Sequence, residues 1–342
     1  MNKDQTIAQE NMKSVIQRIA TGPELSKNIS REEAKQSMLD ILNGEIDPVQ
    51  SAIFLIALRM KRETMDENLG VHDAIIETTD SITIKTENLI NIADPYDGFS
   101  RNLPSSLFLL PIIAELGFPI ISHGVFSVGP KYGCTHNQTL KEIGYKTENS
   151  LDEIAERLEN NKIGWAYADQ SIFNPKLFSL MNLRKKIIKR PVITTVEVLV
   201  KPVRSKHDTF FTGFVHKPYP PIYLELSRNA KFDSAAVIRG TEGGIIPSLR
   251  QTGKVHFYNK AADSDSFFDV KPSDLEIKDS SRAVDIPADI TRTKTNDKIE
   301  SKVDATDIAK ASIKSGLDAL SGKDGQMKSC IHLGAAIILK HI

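Results

Sequence analysis

At 342 residues the chain is long enough to bury the core of one large domain or two ordinary ones. It is 40% hydrophobic and 26% charged, with 44 basic residues against 44 acidic ones. That balance excludes a global attraction to nucleic acid or an anionic membrane and leaves only local patches. The longest apolar runs, Leu107 to Ile113 and Ala335 to Leu339, are too short to span a bilayer. Cys134 and Cys330 lie far apart and form no metal-type cluster, which favours a reduced compartment. The polar start, Met1 to Gln5, has no apolar signal segment, so a cytoplasmic location without membrane contact is expected.

The first eighty residues read as helices. Met12, Val15, Ile16 and Ile19 recur at helical spacing until Gly22-Pro23 stops the run. Ser30-Arg31-Glu32-Glu33 is a capping box, followed by the apolar face of Ala34, Met38, Ile41 and Leu42. Asp47-Pro48 starts a third helix with a cap and a first-turn proline. Its residues Ala52, Ile53, Leu55, Ile56 and Leu58 cover more than one face, which predicts burial or an oligomer contact. Thr64-Met65-Asp66-Glu67 is a second capping box, leading into Leu69, Val71, Ala74 and Ile75.

From about Asn88 short strands alternate with helices. Strands are predicted over Leu89–Ala93, Pro119–Ser122, Gly164–Ala168, Val192–Leu199 and Ala235–Arg239. Helices are predicted over Ser106–Leu116, Gln138–Ile143, Leu151–Asn160 and Pro175–Ile187, with closing helices at Ile308–Leu320 and Ser329–Ile342. Between His256 and Asp304 the chain turns polar and reads as loops and edge strands. The fold class expected is α/β: an N-terminal helical subdomain over 1–85, with helices from about 175–190 packed on it, and an α/β domain over 86–342 with a mostly parallel central sheet.

The stretch from Asn91 to Tyr145 carries the chemistry. A buried strand empties into Asp94-Pro95-Tyr96-Asp97-Gly98, and Ser105-Ser106 open an apolar helix. A second strand ends at Ser122-His123-Gly124, followed by a loop holding Lys131 and Gly133. Strand, polar loop and helix start present backbone N–H groups and hydroxyls to an anion, so a phosphate-type site is one reading. A plain turn and helix cap is the other, since Asp, Gly and Ser are ordinary there.

Other signals carry paired readings. Arg184-Lys185-Lys186-Ile187-Ile188-Lys189-Arg190, with Lys201, Arg204 and Lys206 nearby, is either a solvated face or a contact for phosphate or nucleic acid. His123 is a core histidine or faces a ligand, and Gly243-Gly244 is an anion-binding nest or a tight turn. Trp165 is assigned to core packing, and Phe210-Phe211 and Tyr219-Pro220-Pro221 to packed loop structure.

The segment ILNGEIDPVQSAIFLIALRMKRET resembles the N-terminal domain of the anthranilate phosphoribosyltransferase family. That family includes the pyrimidine nucleoside phosphorylases, and the resemblance runs from about Ser30 to the C-terminal helix. It implies a nucleoside phosphorylase/phosphoribosyltransferase-like fold. In the family a glycine-rich loop ending in Asp-Gly, then Ser-Thr at a helix start, holds the pyrophosphate of phosphoribosyl pyrophosphate. Asp97-Gly98 and Ser105-Ser106 fall at matching places, but Asp94-Pro95-Tyr96 replaces the flexible glycines. Lys131 and Gly133 match the family's second phosphate segment, with Tyr132 and Cys134 replacing its hydroxyls.

The same resemblance implies acceptor-facing roles for His123, Gly124, Arg184 and Arg190, although Ser122, Val125 and Phe126 replace the polar residues around His-Gly. Ile245-Ile246 stand where the family places an Asp-Glu pair that holds magnesium on the diphosphate. Isoleucine offers Mg²⁺ no oxygen, so no metal is expected unless Glu242 takes over.

The function expected is therefore a divergent glycosyl- or phosphoribosyltransferase, or a phosphorylase using inorganic phosphate, that binds a small phosphorylated ribosyl ligand. Synthesis from anthranilate is not expected. The alternative is a non-catalytic nucleotide- or nucleic-acid-binding protein on the same scaffold, gripping through Arg184 to Arg190. A homodimer through the N-terminal helices is expected from Ile53, Leu55 and Ile56.

Overall fold

The computed structural model describes residues 3–22, 24–290, 293–294 and 301–342, so Pro23 lies outside the described residues. Four helices come first: α1 (Lys3–Ile19), α2 (Arg31–Leu42), α3 (Pro48–Lys61) and α4 (Met65–Glu77). Both capping boxes form: Ser30 Oγ accepts from the Glu33 amide and Thr64 Oγ1 from the Glu67 amide, with each glutamate reaching back to its cap. Asp47 caps α3 by accepting from the Val49 amide.

The chain then runs through β1 (Ile82–Thr83), β2 (Asn88–Ala93), α5 (Leu109–Glu115), β3 (Ile120–Gly124), α6 (His136–Ile143), α7 (Leu151–Glu159) and β4 (Trp165–Asp169). Four short helices follow, α8 (Gln170–Phe173), α9 (Pro175–Phe178), α10 (Met181–Ile187) and α11 (Ile193–Val196), and then β5 (Val203–Arg204), β6 (His207–Gly213), α12 (Tyr219–Asn229) and β7 (Ser234–Ile238). The remaining elements are β8 (Gly253–Tyr258), β9 (Ser266–Val270), β10 (Thr293–Lys294), β11 (Ser301–Lys302), α13 (Ala305–Leu320) and α14 (Gln326–His341).

The central sheet has the order β4-β3-β2-β6-β7-β8-β9. Its first five strands are parallel and the last two join antiparallel. Side chains alternate across it, and both faces are apolar, as a sheet covered on two sides requires. Leu89, Ala93 and Phe210 point into a core shared with Met12, Met38 and Leu58 of the helices. Ile90, Ile92 and Phe211 point the other way, against α5, α13 and α14. The helical bundle and one face of the sheet therefore share a continuous core.

Three expectations are corrected. Val192–Leu199 is not a strand: its centre is α11, buried except at Thr194 and packed on α4. A short apolar run has no periodicity to separate strand from buried helix, and its β-branched residues suit a strand equally well. The missing strand is β6, next to β2 at the middle of the sheet. Its polar entrance, His207-Asp208-Thr209, hid it, and Phe210-Phe211 are fully buried strand residues rather than loop. The helix expected over Pro175–Ile187 is broken into α9 and α10.

Candidate functional site

The chain moves from β2 outward to β3 and β4, then returns to build β6 and β7 on the other side. The direction reverses at β2, and in open α/β sheets the crevice beyond such a reversal is where ligands bind. Three loops meet there: 94–102 after β2, 125–135 after β3 and 239–246 after β7.

The first two loops are zipped together by their backbones. The Phe99 amide donates to Cys134 O at 2.8 Å, the Cys134 amide to Phe99 O at 2.7 Å, and the Gly133 amide to Asp97 O at 2.8 Å. Gly98 has φ +73°, and a Cβ there would strike the Gly133 backbone; one at Gly133 would lie 2.5 Å from Phe99 O. Both glycines, expected to serve phosphate, are thus required for loop-to-loop contact.

Asp97, Lys131, Arg190 and Glu242 form one charged cluster. Arg190 Nη2 lies 2.5 Å from Asp97 Oδ2. Lys131 Nζ lies 3.7 Å from Asp97 and 3.2 Å from Glu242. Glu242 Oε1 accepts from the Arg101 and Asn102 amides at 2.8 and 3.0 Å, and Oε2 from the Ser100 amide at 3.1 Å. The amides that the crevice presents to an anion are therefore held by a carboxylate of the chain itself. The set of two cations and two anions is neutral.

Behind it lies a cavity of about 20 Å³, room for one water, lined by Phe99, Ser105, Ser106, Thr241, Ile245 and Cys330. The Ser106 hydroxyl is held within the chain, bonding the Asp94 carboxylate and His136 Nε2, the latter at 2.9 Å. His136 Nδ1 meets Ser122 Oγ at 2.7 Å, and Asp94 also accepts from the Ile245 amide at 3.1 Å. Asp94 is fully desolvated, which raises a carboxyl pKa, but the His136, Ser106 and Ile245 contacts outweigh this and hold it below its usual value. The sequence offered one sign of this network: Thr135 and Gln138 form a capping box that sets His136 in the first turn of α6.

On the β3 side, His123 and Gly124 face Tyr96. The tyrosine is buried and its hydroxyl lies 2.5 Å from His123 Nδ1. Burial, assisted by His136, lowers the His123 pKa to about 3, so the ring is neutral. Tyr96 packs against His123 and Gly124, whereas Phe126 is half exposed and lies under Lys141.

Arg184, expected to face an acceptor, is paired within the chain. It is buried in a two-pronged pair with Glu197, both contacts 2.6 Å. Lys185, Lys186 and Lys189 remain exposed on the surface, and none has an acidic partner among the described residues.

The donor set does not suit magnesium. Ile245 and Ile246 are buried in the core against α14, and both oxygens of Glu242 are committed to amides. Gly243 and Gly244 form a tight turn under Phe99 in place of an open nest.

A model of the helical bundle domain of a glycosyl transferase family matches residues 13–79. An uncharacterized protein of Aquifex aeolicus is 31% identical over 224 residues, 65% of each chain. An anthranilate phosphoribosyltransferase of Methanopyrus kandleri is 29% identical over 221 residues, 64% of this chain and 60% of its own. The match thus spans less than two thirds of these two relatives. Among solved structures, the anthranilate phosphoribosyltransferase of Thermus thermophilus superposes with TM-score 0.70 at 16% identity, covering 96% of this chain and 87% of that one. The Saccharomyces cerevisiae enzyme in complex with PRPP and Mg gives 0.74 at 13% identity, covering 97% and 88%.

The chain carries the helical bundle domain of a glycosyl transferase family over residues 13–79, and it is similar in fold, and over part of its sequence, to anthranilate phosphoribosyltransferases. The fold expected from the resemblance, a helical bundle joined to an α/β domain with a mostly parallel sheet, is the fold found. Tyr96, Ile245 and Ile246, at positions where the resemblance implied other residues, are all buried.

Proposed function

We propose that this protein is a divergent phosphoribosyltransferase-like protein whose crevice binds a phosphorylated ribosyl ligand or phosphate, and that it does not use anthranilate. The observation that carries this is the convergence of the amides of Ser100, Arg101 and Asn102 with Lys131 on a single carboxylate. That donor arrangement suits any small oxyanion. The anthranilate step is set aside because Tyr96 occupies the space at His123-Gly124 and Arg184 is engaged by Glu197.

Transfer at a ribose carbon needs little covalent machinery, since positioning and charge stabilisation of the departing phosphate supply most of the rate. A phosphorolytic version, with inorganic phosphate as nucleophile, needs no metal pair and fits Ile245-Ile246 better. Asp97, Gly98, Ser105, Ser106, Lys131 and Gly133 remain the proposed phosphate side, and His123, Gly124 and Arg190 the acceptor side. A cytoplasmic homodimer is proposed with it. No described helix is long and apolar enough to cross a membrane.

The test is turnover and binding on the intact chain. Phosphoribosyl pyrophosphate with anthranilate should give no product, while phosphate or phosphoribosyl pyrophosphate should bind and Lys131→Met should weaken that binding. Formation of phosphoribosyl-anthranilate would overturn the reading.

One observation favours a second reading, a non-catalytic nucleic-acid-binding protein. Lys185, Lys186 and Lys189 project from the end of α10 with no acidic partner among the described residues, and Arg190 continues that edge to Asp97. Clustered cations of this kind release counterions from a polyanion. Salt-sensitive binding of a short oligonucleotide, lost in a Lys185→Glu/Lys189→Glu variant with no ribosyl turnover, would select it.

A further inference from the structure

The site described above is held shut by one side chain. From the 239–246 loop, Glu242 crosses to the loop after β2 and takes three consecutive amides and Lys131 at once. Its backbone has φ +53°, a left-handed conformation that a residue with a Cβ rarely adopts. Such strain persists only where surrounding contacts over-determine it, and it gathers at clamps and switches. Gly240, Gly243 and Gly244 surround it, with Gly243 also at positive φ, so the loop has hinge points on both sides. The water-sized cavity lies directly under the same loop, bounded by Thr241, Gly244 and Ile245.

We infer that Glu242 is an internal gate, a carboxylate that occupies the oxyanion position of the crevice and must swing out before a phosphate or diphosphate group can bind. This rests on the proposed phosphate-binding reading of the crevice and adds its regulation. With Glu242 in place the cluster of Asp97, Glu242, Lys131 and Arg190 is neutral. With Glu242 withdrawn it is positive by one charge, and the Arg101 and Asn102 amides lose the oxygen they share. Both changes favour an incoming dianion. The lining residues that would meet it are Asn102, Ser105 and Ser106, once the 239–246 loop lifts from Phe99.

The experiment is calorimetric titration of the full chain with inorganic phosphate and with inorganic diphosphate, for the natural sequence, Glu242→Gln and Glu242→Ala. Urea melts confirm that each variant is folded; Glu242→Gln keeps the side chain's shape and serves as the deciding variant if the alanine unfolds. A gate requires Glu242→Gln to bind at least about tenfold tighter than the natural chain. Adding Lys131→Met to that variant should remove the gain. Equal binding by all forms would overturn the gate while leaving the phosphate site standing. Absence of binding in every folded form would overturn both. A folded Glu242→Gln that binds more weakly than the natural chain would show Glu242 to be a structural clamp, and would sink the gate.

Discussion

Tyr96 and His123 are locked together, hydroxyl to Nδ1 at 2.5 Å, with neither side chain open to solvent. Burial, before any neighbouring charge, pushes the tyrosine pKa well above its ordinary value, and burial lowers that of His123 to about 3. Both groups are neutral, and a single hydrogen bond joins the hydroxyl to Nδ1. The contact makes the tyrosine part of the core.

Tyr96→Phe should leave His123 Nδ1 without its partner and lower stability by about 1–2 kcal/mol. Tyr96→Ala should lower it by about 3–5 kcal/mol by opening a cavity beside Gly124. Urea denaturation reads both. A tyrosine free of this role would give two variants as stable as the natural chain.

Arg184 and Glu197 lie within the core, so removing one partner strands a charge. Arg184→Ala should cost about 3–5 kcal/mol, whereas the paired change Arg184→Met with Glu197→Leu should recover most of that loss. Chemical denaturation of the three chains checks it. Equal losses in the single and double variants would show that packing, not charge, dominates.

Stability should fall on mild acidification. His72 and His341 are lowered to about 4 and His123 to about 3, each mainly by burial. In the unfolded chain these rings bind a proton near about pH 6.5. Stability is therefore full above that pH and lost as it drops toward the folded values, by about 1 kcal/mol per pH unit for each ring. Thermal melts from pH 8 to 5 should be flat and then fall, and His341→Phe should flatten the slope. A melting temperature unchanged down to pH 5 would contradict this.

Gly98→Ala should be among the most damaging single changes, because φ +73° and the Gly133 backbone both oppose a Cβ. A loss of about 2 kcal/mol or more is expected from strain and overpacking together. Gly117→Ala, also at positive φ but with open space around it, should cost less. The difference between the two melts isolates the loop contact.

Val49, Ile53, Ile56 and Met60 fall on one stripe of α3, and Val49 and Met60 are 66% and 73% exposed. Leu55 and Leu58 point inward. Ile53→Glu should convert the proposed dimer to monomer in sedimentation without altering the melt. A natural chain that already sediments as a monomer would remove the proposal.

The elements read best from sequence were those that local chemistry decides. Ser30 with Glu33, Thr64 with Glu67 and Asp47-Pro48 each announce a helix start through groups within a few residues, and each cap is present. Leu89–Ala93 was legible because a continuous apolar run ends in turn residues. β6 escaped because its place is set by β2 and β7 on either side, not by its own pattern.

At the site, the sequence supplies the inventory: Asp97, Lys131, Arg190 and Glu242 each stand out in it. It could not say that Gly98 and Gly133 serve each other, because that contact joins loops after different strands. Nor could it say that Glu242 reaches residues more than a hundred positions away. The sequence alone determined the helical bundle, the α/β class and the family resemblance, since caps and periodicity act over a few residues. Only the tertiary structure decided that the crevice is closed. Closure depends on which side chains the parallel sheet brings together across its carboxyl edge, and no local rule carries that information.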